Sequence, residues 1–318
     1  MTGSADQDRG PVETGPETVR ALLADQFPQW AELPVEPVGE PGVDNLTYRL
    51  GHAMSVRVPR FARWEGQVRR EQEWLPRLGP LLPLAVPVPL AQGSPGRGCP
   101  FVWSVYRWLP GDRADLRKID EPRQAAVDLA AFLRTLREVD AAGGPPPEWS
   151  NGFRGVPLDD PRDSAVVAHR MRERIAALDG LTDTDALTEV WQAGLAAPAW
   201  DRPPVWVHGD PAPGNLLSAG GRLSAVIDFG TLAVGDPATD LIAAWTFLDA
   251  RTRGVFRDAL DVDDATWARG RAWGLSGALP SRAELSGGEE AGGAAAAAAA
   301  RRRLDDLVAD LAGSRPRR

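Results

Sequence analysis

Residues 206–217 have the sequence WVHGDPAPGNLL, in which a polar loop lies between two apolar runs. Asp210 is followed five residues later by Asn215, and the chain then returns at once to leucines. The second half of the pattern is GRLSAVIDFG, residues 221–230, which predicts a turn and then a strand that ends at Asp228. One hairpin therefore presents three oxygen-bearing side chains at its strand ends.

These three side chains point to phosphoryl-transfer chemistry. An amide oxygen and a carboxylate are ligands that Mg²⁺ accepts while it also holds phosphates and water, which suits Asn215 and Asp228. Asp210 is then free to accept a proton from a hydroxyl nucleophile. Protein kinases use the same order, an Asp, an Asn five residues later and a further Asp in a DFG motif. Each half alone is a common turn, whereas the ordered combination predicts a catalytic site.

Composition limits the class of protein. With 318 residues and a net charge of −8, the chain is an acidic globular protein, which argues against sequence-independent nucleic-acid binding. No uninterrupted apolar run reaches about 18 residues, so no membrane span or membrane partner is expected. The single cysteine, Cys99, excludes an internal disulfide and suits a reducing cytosol, so a cytoplasmic location is expected. We expect a monomer or a homodimer.

The patterning predicts an α+β fold of two lobes. Residues 1–15 are polar and are expected to be disordered, residues 16–108 to form a β-rich N-terminal lobe, and residues 109–318 to form a larger C-terminal lobe. Short β-type runs separated by glycines predict a meander of three strands early in the first lobe. Apolar residues recur at helical spacing over residues 16–30 and 64–78.

Helical periodicity dominates the C-terminal lobe. Helices are predicted within residues 121–140, 162–178 and 185–196, each of which carries a helical pattern. Residues 286–300 are of low complexity, and their alanine run favours a final helix. Three of the 12 tryptophans lie on apolar faces and are predicted core residues: Trp74, Trp103 and Trp245.

With these motifs the sequence resembles the aminoglycoside phosphotransferase family of protein-kinase-like small-molecule kinases, over about residues 30–275. WVHGDPAPGNLL and AVIDFGTLAVGDPATDL are the most specific parts, supported by DNLTYRLG, VRVPR and VYRWLPG. The resemblance implies a two-lobed protein-kinase-like fold with an N-terminal antiparallel sheet lobe and a larger, mainly helical C-terminal lobe. It also implies ATP and Mg²⁺ as cofactors.

The resemblance also assigns roles to residues of the polar loop within residues 206–217, here called the central loop. It implies Asp210 as the catalytic base, Asn215 and Asp228 as magnesium ligands, and His208 as an orienting residue of the loop. Two further carboxylates resemble the acidic pair that braces this loop in the family, although a role as plain helix caps is also open: Asp236 and Asp240.

Two differences separate the chain from a protein kinase. Gly209 stands where the catalytic loop of a protein kinase has an arginine before its Asp. Only about a dozen residues follow Asp228 before the next predicted helix, whereas a protein kinase needs a longer segment to seat a peptide. A small hydroxyl-bearing substrate is therefore the expected acceptor.

The sequence motifs that would bind the nucleotide are less specific than those of the central loop. Gly39 and Gly42 lie in GEPGVDN, which either folds over phosphates or forms a β-turn, since it lacks the full G-x-G-x-x-G motif. The resemblance implies that Arg57 faces the α- and β-phosphates, and Lys118 is the only lysine of the chain. Glu71 is favoured over Glu73 as the helical partner of Arg57.

The remaining expectations concern the adenine and the acceptor. Residues 105–108, with Val105 and Tyr106, are expected to form the hinge whose backbone meets adenine. Aminoglycosides, other antibiotics such as macrolides, amino alcohols and sugars all remain open as acceptors. If the acceptor pocket is acidic or aromatic, the following residues are candidates to line it, although each is equally consistent with an exposed surface position: Trp149, Asp159, Asp160, Glu289, Glu290, Asp305 and Asp306.

Two alternatives to a kinase remain open from the sequence. The first is a nucleotide-binding pseudokinase scaffold, which the absence of a lysine from the N-terminal lobe favours and the intact Asp210, Asn215 and Asp228 disfavour. The second is a magnesium-dependent phosphohydrolase, which needs a nucleophile or a metal pair that these motifs do not suggest. A kinase of metabolism, acting on an amino alcohol or a sugar, remains a variant of the main hypothesis.

Overall fold

The computed structural model describes residues 11–39, 44–158, 170–287 and 293–313. Within these ranges the N-terminal lobe contains the strands β1 (Val35–Pro37), β2 (Asn45–Leu50), β3 (Met54–Pro59), β4 (Pro89–Gly93) and β5 (Trp103–Arg107). They form one antiparallel sheet in the order β1-β2-β3-β5-β4. The first three strands are sequential neighbours, so the predicted meander is confirmed.

One face of this sheet is covered by helix α1 (Pro16–Gln26). Pro16 occupies the first turn, where a missing N–H is tolerated. The helical spacing places Val19, Leu22 and Leu23 on one side, and all three are buried in the same cluster as Trp103. The helix predicted over residues 16–30 therefore ends at Gln26, and the remaining residues include a 3₁₀ turn, Pro28–Trp30.

Helix α2 (Glu65–Leu78) connects the sheet to the C-terminal lobe. Its buried residues Trp74, Leu75 and Leu78 belong to the hydrophobic core of the second lobe. The ring of Trp74 lies 4.7 Å from that of Trp206, a packed aromatic contact between the lobes. The helix thus holds the sheet in a fixed position over the strand that leads into the central loop.

The C-terminal lobe is mainly helical, as predicted, and all three tryptophans predicted to be core residues are buried. A helical stretch over residues 170–176 is the described part of the predicted 162–178 helix. The other described elements are β6 (Asp112–Arg113), α3 (Pro122–Glu138), α4 (Thr184–Ala196), β7 (Val205–Val207), β8 (Leu216–Ala219), β9 (Arg222–Val226), β10 (Ala233–Gly235), α5 (Ala243–Thr246), α6 (Ala250–Leu260), α7 (Asp264–Ala278), α8 (Arg282–Ser286) and α9 (Gly293–Gly313).

Two small antiparallel pairings position the central loop. β7 pairs with β10, so Val207 lies opposite Ala233. β8 pairs with β9 in the hairpin that the sequence predicts. The Ile227 amide donates to the Asn215 carbonyl at 2.8 Å, which joins the end of the loop to the residue before Asp228. The two motifs are therefore fixed side by side.

The alanine-rich tail forms helix α9, which confirms the predicted final helix. Its apolar face buries Leu304 and Leu307 in the C-terminal core. Asp306 on this helix pairs with Arg253 of α6 at 3.1 Å, and the Arg253 side chain is buried. Among the described residues, no helix is long and apolar enough to cross a membrane.

Candidate active site

The central loop is a tight turn between β7 and β8. Gly209 has a φ of +88°, and a β-carbon there would lie 2.8 Å from the Thr231 carbonyl oxygen, so the turn requires glycine. The Asn215 amide donates to the backbone carbonyl of Asp210 at 2.8 Å and to its Oδ2 at 3.1 Å. Asp210 and Asn215, predicted from their spacing alone, are thus in direct contact.

His208 ties this loop to the end of the neighbouring strand. Its Nδ1 accepts from the Asp210 amide at 3.2 Å, and its Nε2 lies 3.1 Å from the Ile227 carbonyl oxygen. Because the carbonyl only accepts, the proton of the ring belongs on Nε2. The ring is fully buried and packs edge-on against Phe229. The structure therefore places His208 behind the loop, where it orients the Asp210 backbone.

Two buried carboxylates lie beneath the loop. Asp240 accepts from the amides of His208 at 3.1 Å and Gly209 at 2.7 Å, and burial raises the pKa of Asp240 above its ordinary value. Asp236 caps the following 3₁₀ turn at Ala238 and forms a buried ion pair with Arg269, at 2.8 Å to the guanidinium. Asp240 therefore holds the loop directly, and Asp236 anchors the segment that carries Asp240.

Asp228 emerges after β9 in a left-handed conformation, with a φ of +65°. Few non-glycine residues adopt this region, and such backbones occur where the surroundings impose them. Its Oδ1 lies 2.9 Å from Arg57 Nη2. Burial opposes ionisation, but the Arg57 charge and hydrogen bond outweigh it and hold the pKa of Asp228 below its ordinary value. The carboxylate faces the cleft between the lobes as an anion.

Glu71 of α2 lies against the other side of Arg57. Arg57 Nη1 is 3.3 Å from Glu71 Oε1, and the same oxygen accepts from the Phe229 amide at 2.8 Å. The structure thus brings Glu71 to Arg57, as the sequence favours, while Glu73 is exposed. Arg57 bridges a helix of the N-terminal lobe and the DFG segment of the C-terminal lobe.

Arg57, Asp210, Asn215 and Asp228 line a cavity of about 650 Å³ between the lobes. The N-terminal sheet forms one wall of the cavity, and the chain at the end of β5 forms the back. The central loop and the segment around Asp228 form the floor. The lining residues are Val38, Asp44, Asn45, Thr47, Ser55, Arg57, Pro87, Tyr106, Arg107, Trp108, Leu109, Gly111, Asp112, Arg113, Asp210, Gly214, Asn215, Leu217, Ile227 and Asp228.

Residues 105–108, the predicted adenine hinge, cover the last three residues of β5 and the residue after it. Val105 is fully buried and pairs with both β3 and β4, so it does not line the cavity. Tyr106 does line the cavity, but its hydroxyl donates to Glu71. Arg107 at the end of β5, with Trp108 and Leu109 after it, also borders the cavity. The assignment of this segment as the adenine hinge stays a prediction.

Asp44 is a cavity residue that sequence reasoning missed. Burial and the neighbouring Asp228 charge raise the pKa of Asp44 above its ordinary value. The only local signal is its place directly before β2 in VDNL. Of the glycines that precede it, Gly39 has a φ of +61° next to the cavity residue Val38, and Gly42 lies outside the described residues.

The residues considered for acceptor binding are scattered. Trp149 is 52% exposed and packs edge-on with Phe153, in a loop tied to the DFG segment by Asn151, whose amide donates to the Thr231 carbonyl oxygen at 3.3 Å. Asp306 is engaged by Arg253, and Asp305 is exposed on the same helix. The others lie outside the described residues: Asp159, Asp160, Glu289 and Glu290.

This geometry agrees with the comparison to known proteins. The profile of the phosphotransferase enzyme family, APH, matches residues 35–273. The chain belongs to this family. The resemblance seen in the sequence is thereby confirmed, and the chain is a phosphotransferase. No curated protein matches the whole sequence significantly.

Solved structures share the APH fold across nearly the whole chain. The GDP complex of aminoglycoside 2'-phosphotransferase-IIIa is 20% identical, with a TM-score of 0.67, covering 93% of this chain and 99% of that one. The streptomycin–ATP complex of APH(2")-IIa is 20% identical, with a TM-score of 0.55 and coverages of 84% and 88%. Macrolide 2'-phosphotransferase MphH from Brachybacterium faecium is 25% identical, with a TM-score of 0.56 and coverages of 91% and 98%. The predicted two-lobed kinase-like fold is confirmed.

Proposed function

We propose that this phosphotransferase transfers the γ-phosphoryl group of Mg-ATP to a hydroxyl group of a small molecule, with Asp210 as the catalytic base. The observation that carries the proposal is the contact between Asp210 and Asn215 on the floor of the cavity, opposite the Arg57–Asp228 ion pair. A base, two oxygen ligands and a fixed cation thus border one space, and these are the parts that phosphoryl transfer requires.

Asp210 acts on the acceptor. Its Oδ2 is held by Asn215, and its backbone amide is held by His208, so the direction of the carboxylate is set before the substrate arrives. The other carboxylate oxygen would then face the acceptor hydroxyl and receive its proton as the hydroxyl oxygen bonds to the γ-phosphorus. The bond between the γ-phosphorus and the β-phosphate oxygen breaks in the same step, and ADP leaves. Preorganisation of this kind supplies much of the rate gain in reactions limited by positioning.

Asn215 and Asp228 would hold the magnesium ion. Since Asn215 Nδ2 donates to Asp210, the amide oxygen points the other way, and the Asp228 side chain is 35% exposed towards the cleft. An amide oxygen and an ionised carboxylate are hard donors that fit a small cation which keeps waters and binds phosphates. The bound ion would neutralise charge on the β- and γ-phosphates.

Arg57 would provide the second positive charge on the phosphates. Its guanidinium is held by Glu71 and Asp228, and its side chain is only 17% exposed. A planar guanidinium can hold these two carboxylates and still present N–H groups to phosphate oxygens, which one ammonium group does less well. Arginine therefore replaces the lysine that this lobe does not contain.

The base of ATP would lie along residues 107–109, which border the cavity where the chain leaves β5. The solved relatives carry GDP in one structure and ATP in another, so a purine nucleotide suits the fold. For the acceptor, we propose a hydroxylated antibiotic, since the compared enzymes act on aminoglycosides and macrolides. Amino alcohols and sugars are the alternatives that the experiment must separate.

The experiment is a measurement of ADP release from the purified chain with Mg-ATP. Aminoglycosides, macrolides, amino alcohols and sugars are added one by one, and phosphorylation of each compound is checked by mass spectrometry. We expect one class to raise ADP release and to gain a phosphoryl group. Binding of Mg-ATP with no response to any class would contradict the proposal and favour a nucleotide-binding scaffold.

A further inference from the structure

Tyr106 has a role that its place in the sheet does not explain. Its side chain is 2% exposed at the inner end of the cavity, and its hydroxyl donates to Glu71 Oε2. A phenylalanine would fill the same space. The hydroxyl is therefore the informative part of the residue, and its partner is the carboxylate that contacts Arg57.

Glu71 receives donors from different parts of the fold. In the described structure, Oε1 accepts from Arg57 at 3.3 Å and from the Phe229 amide at 2.8 Å, while Oε2 accepts from Tyr106 and lies 3.5 Å from Arg57. The terminal torsion of a glutamate is broad, so a carboxylate held on one oxygen alone can rotate. The Tyr106 hydroxyl holds the second oxygen and thereby fixes the plane of the carboxylate.

The orientation of Glu71 is passed on to both sides of the site. The Glu71 carboxylate directs the Arg57 guanidinium, whose other end lies 2.9 Å from Asp228. It also fixes the backbone amide of Phe229, the residue after Asp228. A buried hydrogen-bond network of this kind is cooperative, so the loss of one member loosens the others.

We propose that Tyr106 is a positioning residue that acts through Glu71 to hold Arg57 and the Asp228–Phe229 backbone in the geometry required for phosphoryl transfer. The proposal rests on the proposed function. It differs from the role in adenine binding predicted from the sequence, because it assigns the side chain of Tyr106 and not its backbone.

The test is the variant Tyr106→Phe, which keeps the ring and removes only the donor. ADP release is measured with Mg-ATP, first with water as the acceptor and then with any acceptor found in the panel. We expect kcat to fall about tenfold, a loss of about 1.4 kcal/mol of transition-state stabilisation, while KM for Mg-ATP changes less than about threefold. kcat should fall more than KM changes because the cavity keeps its shape while the charged groups lose their alignment.

The chain provides a matched control. Tyr48 is the only other tyrosine, is 5% exposed in the same sheet, and donates its hydroxyl to the Thr14 carbonyl oxygen, away from the cavity lining. Tyr48→Phe loses a comparable buried hydrogen bond and should keep the wild-type kcat. Equal losses of kcat in the two variants would show that Tyr106 acts only through stability, and would overturn the proposal.

A double variant tests the route through Glu71. If Tyr106 acts through this carboxylate, Tyr106→Phe should have little further effect on kcat in a Glu71→Gln background, since coupled residues are not additive. Additive losses, or a raised KM for Mg-ATP with an unchanged kcat, would overturn the proposal. A wild-type protein without turnover would instead contradict the proposed function, so the two failures are distinguishable.

Discussion

Arg57 Nη2 lies 2.9 Å from Asp228 Oδ1, an ion pair that joins the N-terminal sheet to the loop after β9. The same guanidinium reaches Glu71 of α2 at 3.3 Å. One side chain therefore links three elements, the N-terminal sheet, α2 and the loop after β9. A lobe without lysine thereby keeps a fixed cation at the proposed phosphate position.

The first prediction concerns this cation. Arg57→Lys keeps the charge but cannot hold Glu71 and Asp228 in the same planar arrangement, so kcat/KM for Mg-ATP should fall about tenfold. Arg57→Ala should lower it by a factor on the order of 10³, comparable to the loss of a transition-state donor. Steady-state ADP release measures both, with Arg222→Lys, an exposed residue at the start of β9, as the control. Full activity of the lysine variant would show that the bridging geometry is not required.

The second prediction concerns the metal. Removal of Mg²⁺ with EDTA should abolish phosphoryl transfer, and added Mg²⁺ should restore it. Asn215→Ala removes one proposed oxygen ligand and should raise the Mg²⁺ concentration for half-maximal rate at least about tenfold. A titration of rate against Mg²⁺ at saturating ATP measures this shift. An unchanged half-maximal concentration would remove Asn215 from the proposed ligand set.

The third prediction concerns the turn before the base. A β-carbon in Gly209→Ala would lie 2.8 Å from the Thr231 carbonyl oxygen and 2.9 Å from Arg154 Cβ, at a φ of +88°. The variant should lose at least about 2 kcal/mol of unfolding free energy, because the strained backbone cannot relax without moving the loop. Its kcat should fall as well.

Gly214 in the same loop provides the control for this variant. Among the described residues beyond its chain neighbours, no atom lies within 4 Å of a β-carbon built there, and its φ is not positive. Gly214→Ala should therefore unfold at nearly the wild-type denaturant concentration. Equal stability of the two variants would contradict the steric account of the turn.

Much of the site could be predicted because its decisive contacts are local. Asp210, Asn215 and Asp228 lie in one hairpin, so their spacing alone brings them together. The end of β5 could not be located in this way. The end of β5 depends on bonds from Arg107 to the Val88 carbonyl and from Trp108 to the Ala53 carbonyl, which no sequence pattern shows.

Contacts between distant segments were equally hidden from the sequence. Asp44 approaches Asp228 only because α2 docks the sheet onto the C-terminal lobe. Asp306 was considered for acceptor binding, yet it pairs with Arg253 because the tail folds back as α9. Long-range packing decides these positions, whereas charge and residue type alone leave both roles open.

The fourth prediction concerns the anchor of the loop. Asp236→Ala leaves the buried Arg269 guanidinium without its carboxylate partner, so the unfolding free energy should drop by about 3 kcal/mol or more. Asp264 also pairs with an arginine, but its side chain is 99% exposed, and Asp264→Ala should have little effect. Chemical denaturation compares the two. Similar losses would show that the buried pair is not the anchor.

The most direct test of the central claim is turnover of Asp210→Asn beside the wild type, with binding of Mg-ATP measured in parallel. If Asp210 is the base, kcat should fall by a factor of at least ~10², because general-base catalysis is lost. The dissociation constant for Mg-ATP should stay nearly unchanged. Near-normal turnover of the phosphorylated acceptor by Asp210→Asn would contradict the account.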